Sequence, residues 1–428
     1  MKMRSCLALV LTLALFLFTP GTLLAKDIVV LAQFPLSGPH GSLDELGWGF
    51  TDVMNWFNEE AGGVGGRKVK WFMEDMRYSP TVEVANFHKY CSEYGPDELL
   101  MATGYITGAL KPLIKKVNVE QKIPWVDGSF SSEVFGKTGG PGKYPYYYSL
   151  GATYGDQIKA LLRWIKEDHR GKGAPRVAFV HSPTAYGRDG LPEGLAYAKQ
   201  KGVEVVARIE YPYTATDATS ECMKIRKAKA GYVIYHGYTG WQAATAIFLK
   251  TLRKIAPKVR FTGTHYLLAR LPFMLCKEAY DGVVSAGCWP PFDAIPRSAA
   301  SLDNSMVKRV HDFAKKYRSE AYGKKGGIRD MSSYFVGAVY GFVIQKALLE
   351  AEKAGDVSRE GINRALSRLV WDFHGMFDGK TFSYASHTVP MVRLYEAHVK
   401  IVKVGGKEVP TGKWTPVSEW INTEETAW

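Results

Sequence analysis

The chain has 428 residues, 46% hydrophobic and 23% charged, with a formal net charge of +13 and five cysteines. Those proportions are those of a folded globular protein, and the length exceeds one ordinary core and suits two domains. The lysines lie along helix-like segments such as "FAKKYRSEAYGKK", interleaved with acids and with no basic arm, so the positive balance reads as solvated helix faces and argues against nucleic acid as a partner.

In chain order, Lys2 and Arg4 precede an apolar run from Cys6 to Phe18, then Pro20, Gly21 and "LLA" before Lys26. A basic start, a short apolar stretch and a small residue at the cut predict a secretory signal peptide over residues 1–25. The run is too short to span a bilayer, no other stretch reaches about 18 uninterrupted apolar residues, and Cys6 lies too deep in the run to be a lipid anchor. The expectation is an exported protein beginning near Lys26. Four cysteines then remain, Cys91, Cys222, Cys276 and Cys288. Export permits a bridge, with Cys276 and Cys288 closest in sequence, and buried thiols are the alternative.

Strand and helix patterns alternate through the first 290 residues. "DIVVLAQF" reads as a strand, and "DELGWGFTDVMNWFNEEA" as a helix with Leu46, Phe50, Val53, Met54 and Phe57 on one face. "GGVGGR" is a turn, "KVKWFMEDM" a strand, and "SPTVEVANFHKYCSEYG" a helix with Ser79 as N-cap and Pro80 in its first turn. "ELLMATG", "TGALKPLIKKVNVEQK" and "IPWVDG" continue as strand, helix, strand. The rhythm restarts after "YPYYYSLGATYGDQ" with a helix in "QIKALLRWIKEDH" and strands in "RVAFVH", "VEVVARIEY", "AGYVIYHGY", "VRFTGTHY" and "DGVVSAGC". Such βαβ repetition predicts α/β structure with mostly parallel sheets in two similar halves. Beyond residue 290 three helical segments and a tail of short strands around a "GG" turn are too small for a third domain and must pack on the lobes.

The loops carry no recognised catalytic or phosphate-binding signature. "PLSGPHGS" lacks the glycine spacing of a P-loop or a dinucleotide fingerprint, and no GxSxG, HExxH or EF-hand pattern occurs. The histidines are dispersed, so no metal site is expected. Glu74 and Asp75 read as loop caps before acid–base groups, and His40 and His265 stand at strand exits where a ligand could touch them. Most informative are the exit loops themselves, "PLSGPHGS", "ATGYITG", "DGSFSSE", "HSPTAYG", "HGYTG" and "GTHY". Ligands of open α/β sheets bind beyond the carboxyl ends of the strands, and two such lobes face to face leave a cleft. Ser and Gly loops offer hydroxyl and backbone N–H donors that suit a carboxylate, and tyrosines offer flat walls with a polar tip.

"PLSGPHG", "WFNEEAGGVGGRKVKWFMED", "TGALKPLI", "KIPWVDGSFSS", "YSLGATYGDQ", "VAFVHSPTAYGRDG", "TDATSE" and "WTPVSEWI" occur in an order that resembles the type I periplasmic solute-binding proteins of ABC transporters, branched-chain amino acid receptor family, across the whole mature chain. The resemblance implies two Rossmann-like lobes joined by three hinge crossovers around an interdomain ligand cleft. It places lobe I at 27–148 plus 288–388 and lobe II at 149–287 plus 389–428. It implies a periplasmic, monomeric binding protein, not an enzyme, with no cofactor, which passes a small molecule to an inner-membrane ABC permease. A sensing module of the same fold and an exported hydrolase are the alternatives. By position, the ligand residues would be Gly104 with Tyr105 and Thr107, Ser129 and Ser131 in lobe I, and Tyr186 and Tyr238 in lobe II. Gly104 stands where amino-acid-binding members often have serine, and His265 where they have the acid that pairs with the ligand ammonium. A buried ammonium needs a carboxylate partner, whereas a histidine, neutral or positive, suits an anion or a hydrogen-bonding group. The expected ligand is a small carboxylate-bearing solute, an amino acid or an aromatic or other organic acid, and His265 favours one without an ammonium, such as an aromatic acid.

Overall fold

The computed structural model describes residues 27–38, 44–237, 243–268, 274–292, 303–322, 328 and 331–426. The first lobe is built on a five-stranded parallel sheet: β1 Ile28–Phe34, β2 Val69–Asp75, β3 Leu99–Gly104, β4 Trp125–Asp127 and β5 Tyr147–Ser149, in the order β2-β1-β3-β4-β5. All seven residues of β1 are buried, as befits an inner parallel strand with helices on both faces. Between β1 and β2 the glycines of "GGVGGR" make the turn: Gly62, Gly63, Gly65 and Gly66 all have positive φ. Ser79 caps the Pro80–Glu93 helix by accepting the Val82 N–H at 3.4 Å. Asp75 caps its loop, accepting the N–H groups of Leu36, Ser37 and Arg77 at 3.0, 3.1 and 2.9 Å.

The second lobe holds β6 Arg176–His181, β7 Glu204–Glu210, β8 Tyr232–His236, β9 Arg260–Gly263 and β10 Val284–Gly287, parallel in the order β10-β9-β8-β6-β7. The tail of short strands expected from the sequence is instead one long hairpin, Met391–Val404 with Lys407–Pro416, antiparallel to β10 and turned at Gly405 and Gly406. Its length reflects ten consecutive register pairs that extend well past the sheet. The chain leaves the first sheet after β5, returns after β10 and re-enters the second sheet at Met391.

The return is anchored by the Met331–Lys353 helix, which packs along the Asp44–Glu59 helix. The contact is backbone to backbone: a Cβ on Gly337 would lie 2.0 Å from the Leu46 carbonyl oxygen, and one on Gly49 1.9 Å from that of Tyr334. Buried Asp52 secures the same junction, accepting from Arg318 Nε and Nη2 at 2.9 and 2.7 Å and from the Tyr334 hydroxyl at 2.8 Å. A partly exposed arginine held by a bidentate carboxylate is a strong form of ion pair.

Cys91, Cys222, Cys276 and Cys288 are all free thiols, so the alternative left open by the sequence resolves as buried thiols, fully so for the last three. Burial pushes Cys91 up to about 11 and Cys222 and Cys276 up to about 12. Thiols so placed are inert. A reductant is therefore expected to leave the melting temperature of the mature protein unchanged, and a chromogenic thiol reagent to modify Cys222, Cys276 and Cys288 no faster than the protein unfolds. A drop in melting temperature with dithiothreitol would mean that a bridge exists.

Candidate functional site

Residues at the carboxyl ends of both sheets meet between the lobes. From lobe I, Tyr105 and Thr107 follow β3 and Ser129, Phe130 and Ser131 follow β4; from lobe II, Tyr186 follows β6, and Thr264, His265 and Tyr266 follow β9. Thr107 Oγ1 and Ser129 Oγ are 2.7 Å apart, and the hydroxyl of Tyr154, at the start of the first lobe II helix, joins them. Phe130 reaches across the lobes to His265, ring centroids 4.7 Å apart, and both rings lie 5.7 Å from Trp289 on the second crossover. Tyr186 stands edge-on to Tyr154 and Tyr266 at 5.0 and 5.3 Å.

Tyr78, Tyr105 and Tyr266 keep partial surface exposure. Yet desolvation raises the phenols of Tyr78 and Tyr266 well above the usual value, each with Tyr105 and Tyr154 as electrostatic neighbours. These rings stand with Tyr154 and Tyr186 at the junction between the lobes. A groove of about 490 Å³ adjoins it, lined from both lobes by Thr107, Lys111, Ser131, Ser132, Arg188 and Asp189.

Two histidines shape the lobe II wall. His236 Nε2 faces the Tyr186 carbonyl at 3.0 Å, which can only accept, so Nε2 carries the proton and Nδ1 accepts from Thr264 Oγ1 at 3.1 Å. Burial lowers His236 to about 3, so it is neutral and locks the Tyr186 backbone. Gln157 Nε2 donates to the Ala152 carbonyl, which fixes that amide and leaves Gln157 Oε1 to receive the His265 N–H at 3.1 Å and His265 Nδ1–H at 3.2 Å. His265 Nε2 is therefore an acceptor. Burial, with His236 as the only other influence, holds His265 well below its ordinary value. Of the two states open to it from sequence, His265 takes the neutral one, with no carboxylate among the described residues that influence it.

Four of the backbone donors in the lobe I exit loops are taken by the protein itself. Buried Glu83 accepts the N–H groups of Tyr105 and Ile106, each at 3.2 Å. Asp127 accepts the Ser129 N–H at 2.6 Å and the Trp125 indole at 2.7 Å. Asp189 of lobe II accepts the Ser132 N–H at 2.6 Å and the Ser131 hydroxyl, which closes an interlobe bond at the start of the Ser132–Phe135 helix.

The structure thus gathers Tyr105, Thr107, Ser129, Tyr186 and His265 at the junction between the lobes. Ser131 is bound to Asp189, and Gly104 sits behind the wall with its carbonyl accepting from the Tyr340 hydroxyl at 2.5 Å. Tyr238 and His40 lie outside the described residues. Sequence reasoning did not count Tyr78, Tyr154, Tyr266, His236 or Asp189 as site residues. Four of them stand in quoted strand-exit or family stretches, "YSLGATYGDQ", "GTHY", "HGYTG" and "TAYGRDG", and Tyr78 follows β2 directly, so position relative to strand ends was the usable signal. Among the described residues no group of His, Cys, Asp and Glu could hold a metal ion, and no helix is long and apolar enough to cross a membrane.

Two α/β lobes with a cleft at the carboxyl ends of both sheets define a hinged small-molecule-binding architecture. The family model described as periplasmic binding protein matches residues 28–405, and the chain belongs to that family. Among solved structures, it is similar to a branched-chain amino acid ABC transporter protein from Thermus thermophilus with bound valine, at 20% identity over 93% of this chain and 97% of that one, TM-score 0.74. It is similar to a fatty acid ABC transporter substrate-binding protein from Thermomonospora curvata, at 17% identity over 94% of each chain, TM-score 0.71. It is also similar to an ABC transporter solute-binding protein from Rhodopseudomonas palustris HaA2 in complex with p-hydroxybenzoic acid, at 20% identity over 93% of this chain and 98% of that one, TM-score 0.67. A search of curated proteins returns no match.

Proposed function

We propose that this protein is the extracytoplasmic receptor of an ABC importer, which closes its lobes on a small aromatic acid and delivers it to a membrane permease. The observation that carries this reading is the interlobe cluster of tyrosine rings, with the Thr107, Ser129 and Tyr154 hydroxyls joined beside it and a neutral His265 among the rings. Hydroxyl donors suit a carboxylate, tyrosine and Phe130 faces suit a ring, and a neutral Nε2 suits a ring hydroxyl. Among the described residues an α-ammonium finds no carboxylate at His265. The similar fold that holds p-hydroxybenzoic acid supports this ligand class. Binding without turnover agrees with the family and with buried, unreactive thiols. The predicted signal peptide supports a periplasmic address.

The test is a thermal-shift screen of the mature protein against 4-hydroxybenzoate, benzoate, leucine, valine, dicarboxylates and fatty acids. A ligand at about 1,000 times its Kd stabilises the folded state by about 4 kcal/mol, a shift of several degrees. The expected result is a shift with the aromatic acids and silence with leucine and valine. A leucine or valine hit alone would keep the receptor and discard the argument from His265.

A further inference from the structure

The carboxylates behind the lobe I wall form a pair. Glu83 and Asp127 are both wholly buried, and they flank Gly104 so closely that a Cβ there would lie 2.5 Å from Glu83 Oε1 and 2.4 Å from Asp127 Oδ2. Among the described residues no Lys, Arg or His takes part. Glu83 feels burial, Asp127 and the amides of Tyr105 and Ile106; Asp127 feels burial, the Trp125 indole and the Ser129 amide. The other titratable groups that face the pair are phenols: Tyr340 from the Met331–Lys353 helix, Tyr147 on β5 and Tyr78 after β2. Two carboxylates this close in a dry site cannot both ionise, so the pair titrates as a unit. Burial first, and the neighbouring carboxylate for Glu83, push both upward, Asp127 to about 7.

The pair also touches the ligand wall. Asp127 holds the amide of Ser129, whose hydroxyl belongs to the donor cluster, and Glu83 holds the amides that lead into Thr107. A ligand carboxylate on those hydroxyls places a further negative charge beside the pair. We propose that Glu83 and Asp127 are positioning residues whose protonation is coupled to binding: docking of a carboxylate on the Thr107, Ser129 and Tyr154 hydroxyls draws one proton from solvent onto the pair. No bond of the ligand changes; the proton leaves the buffer and ends on the buried carboxylates. This rests on the reading that the cleft takes an aromatic acid.

The sign follows from linkage: a site that gains a proton on binding binds best where that proton is already present. At low pH the pair is protonated before the ligand arrives and affinity is constant. Above the titration of Asp127, affinity falls as pH rises, by about tenfold per pH unit for one full proton. His236 and His265, held at about 3 and well below the ordinary histidine value, do not titrate in this window.

The experiment is calorimetry of the mature wild-type protein with 4-hydroxybenzoate and its uncharged isostere 4-hydroxybenzamide, between about pH 6 and about pH 8.5 and in buffers of contrasting ionisation enthalpy. The expected result is a benzoate Kd that weakens at least tenfold across the range, with proton uptake near one per site at the upper end, and a benzamide Kd that stays flat. Glu83→Gln and Asp127→Asn, which each keep one acceptor oxygen and lose the second, should be less stable and should bind 4-hydroxybenzoate with a flattened pH profile. Binding of 4-hydroxybenzoate with a flat profile and no proton uptake in the wild type overturns the coupling and leaves the proposed function intact. Absence of 4-hydroxybenzoate binding at every pH overturns the aromatic-acid reading and the coupling together.

Discussion

Replacing Gly337 by alanine is expected to lower the stability of the protein by about 2 kcal/mol, although alanine is the better helix former. Two effects compete. Alanine in place of glycine inside a helix gains about 1 kcal/mol of intrinsic propensity. Against that, the new Cβ would lie 2.0 Å from the carbonyl oxygen of Leu46 and 2.9 Å from the Phe50 nitrogen, all backbone of the opposing helix. No rotamer change relieves a backbone clash, so the helices must separate, and overpacking of this kind costs about 3 kcal/mol. The steric term wins. Gly49→Ala should behave alike, since its Cβ meets the Tyr334 carbonyl at 1.9 Å. Gly142→Ala is the control: nothing lies within 4 Å of its Cβ. Urea unfolding midpoints of the three variants decide it, and equal midpoints for Gly337→Ala and Gly142→Ala would mean that the two helices do not cross at this distance. The consequence reaches the ligand site, because the Met331–Lys353 helix carries Tyr340 to the Gly104 carbonyl.

The crossing shows where sequence reading reaches and where it stops. Val53, Met54 and Phe57 lie at helical spacing, so the apolar face of the Asp44–Glu59 helix was visible, and the restart of the βαβ rhythm after Tyr148 made two lobes visible. What covers that face was not, because periodicity says which side of a helix is buried and nothing of its partner almost 300 residues away. The same limit applies to the site. Strand-exit loops located the segments that hold Thr107, Ser129, Tyr186 and His265 because topology puts such loops at one end of a sheet, and the family resemblance singled out the first three. Asp127, in "WVDG", reads from sequence as a strand-end polar residue, and Glu83 as an acid in the first turn of its helix. Their claim on the Ser129, Tyr105 and Ile106 amides appears only when the two segments lie side by side. The charge state of His265 stays open in the sequence, since it depends on burial beside His236, and its tautomer depends on Gln157, which sits 108 residues earlier.

Gly104→Ser carries the larger consequence, a loss of about 4 kcal/mol together with loss of 4-hydroxybenzoate binding. Serine is the residue that amino-acid-binding relatives of this architecture often place here, so the substitution looks like restoration of a ligand hydroxyl. The packing forbids it. A Cβ would sit 2.4 Å from Asp127 Oδ2, 2.4 Å from Trp125 Cζ2 and 2.5 Å from Glu83 Oε1. Trp125 cannot give way, since it is fully buried with Phe87 edge-on at 5.0 Å and its indole N–H on Asp127. One carboxylate must move instead, which strands either the Ser129 amide or the Tyr105 and Ile106 amides without an acceptor. Each buried donor left unpaired costs about 1–3 kcal/mol, on top of about 1–3 kcal/mol of overpacking strain. Because the damage comes from the Cβ and not from the hydroxyl, Gly104→Ala should lose nearly as much stability as Gly104→Ser, and neither should gain leucine or valine binding. Thermal melts and a leucine titration of the two variants test both points. A Gly104→Ser protein of wild-type stability that binds leucine would show that Glu83 and Asp127 do not occupy this space, and the amide donors of lobe I would then be free to hold a ligand carboxylate directly.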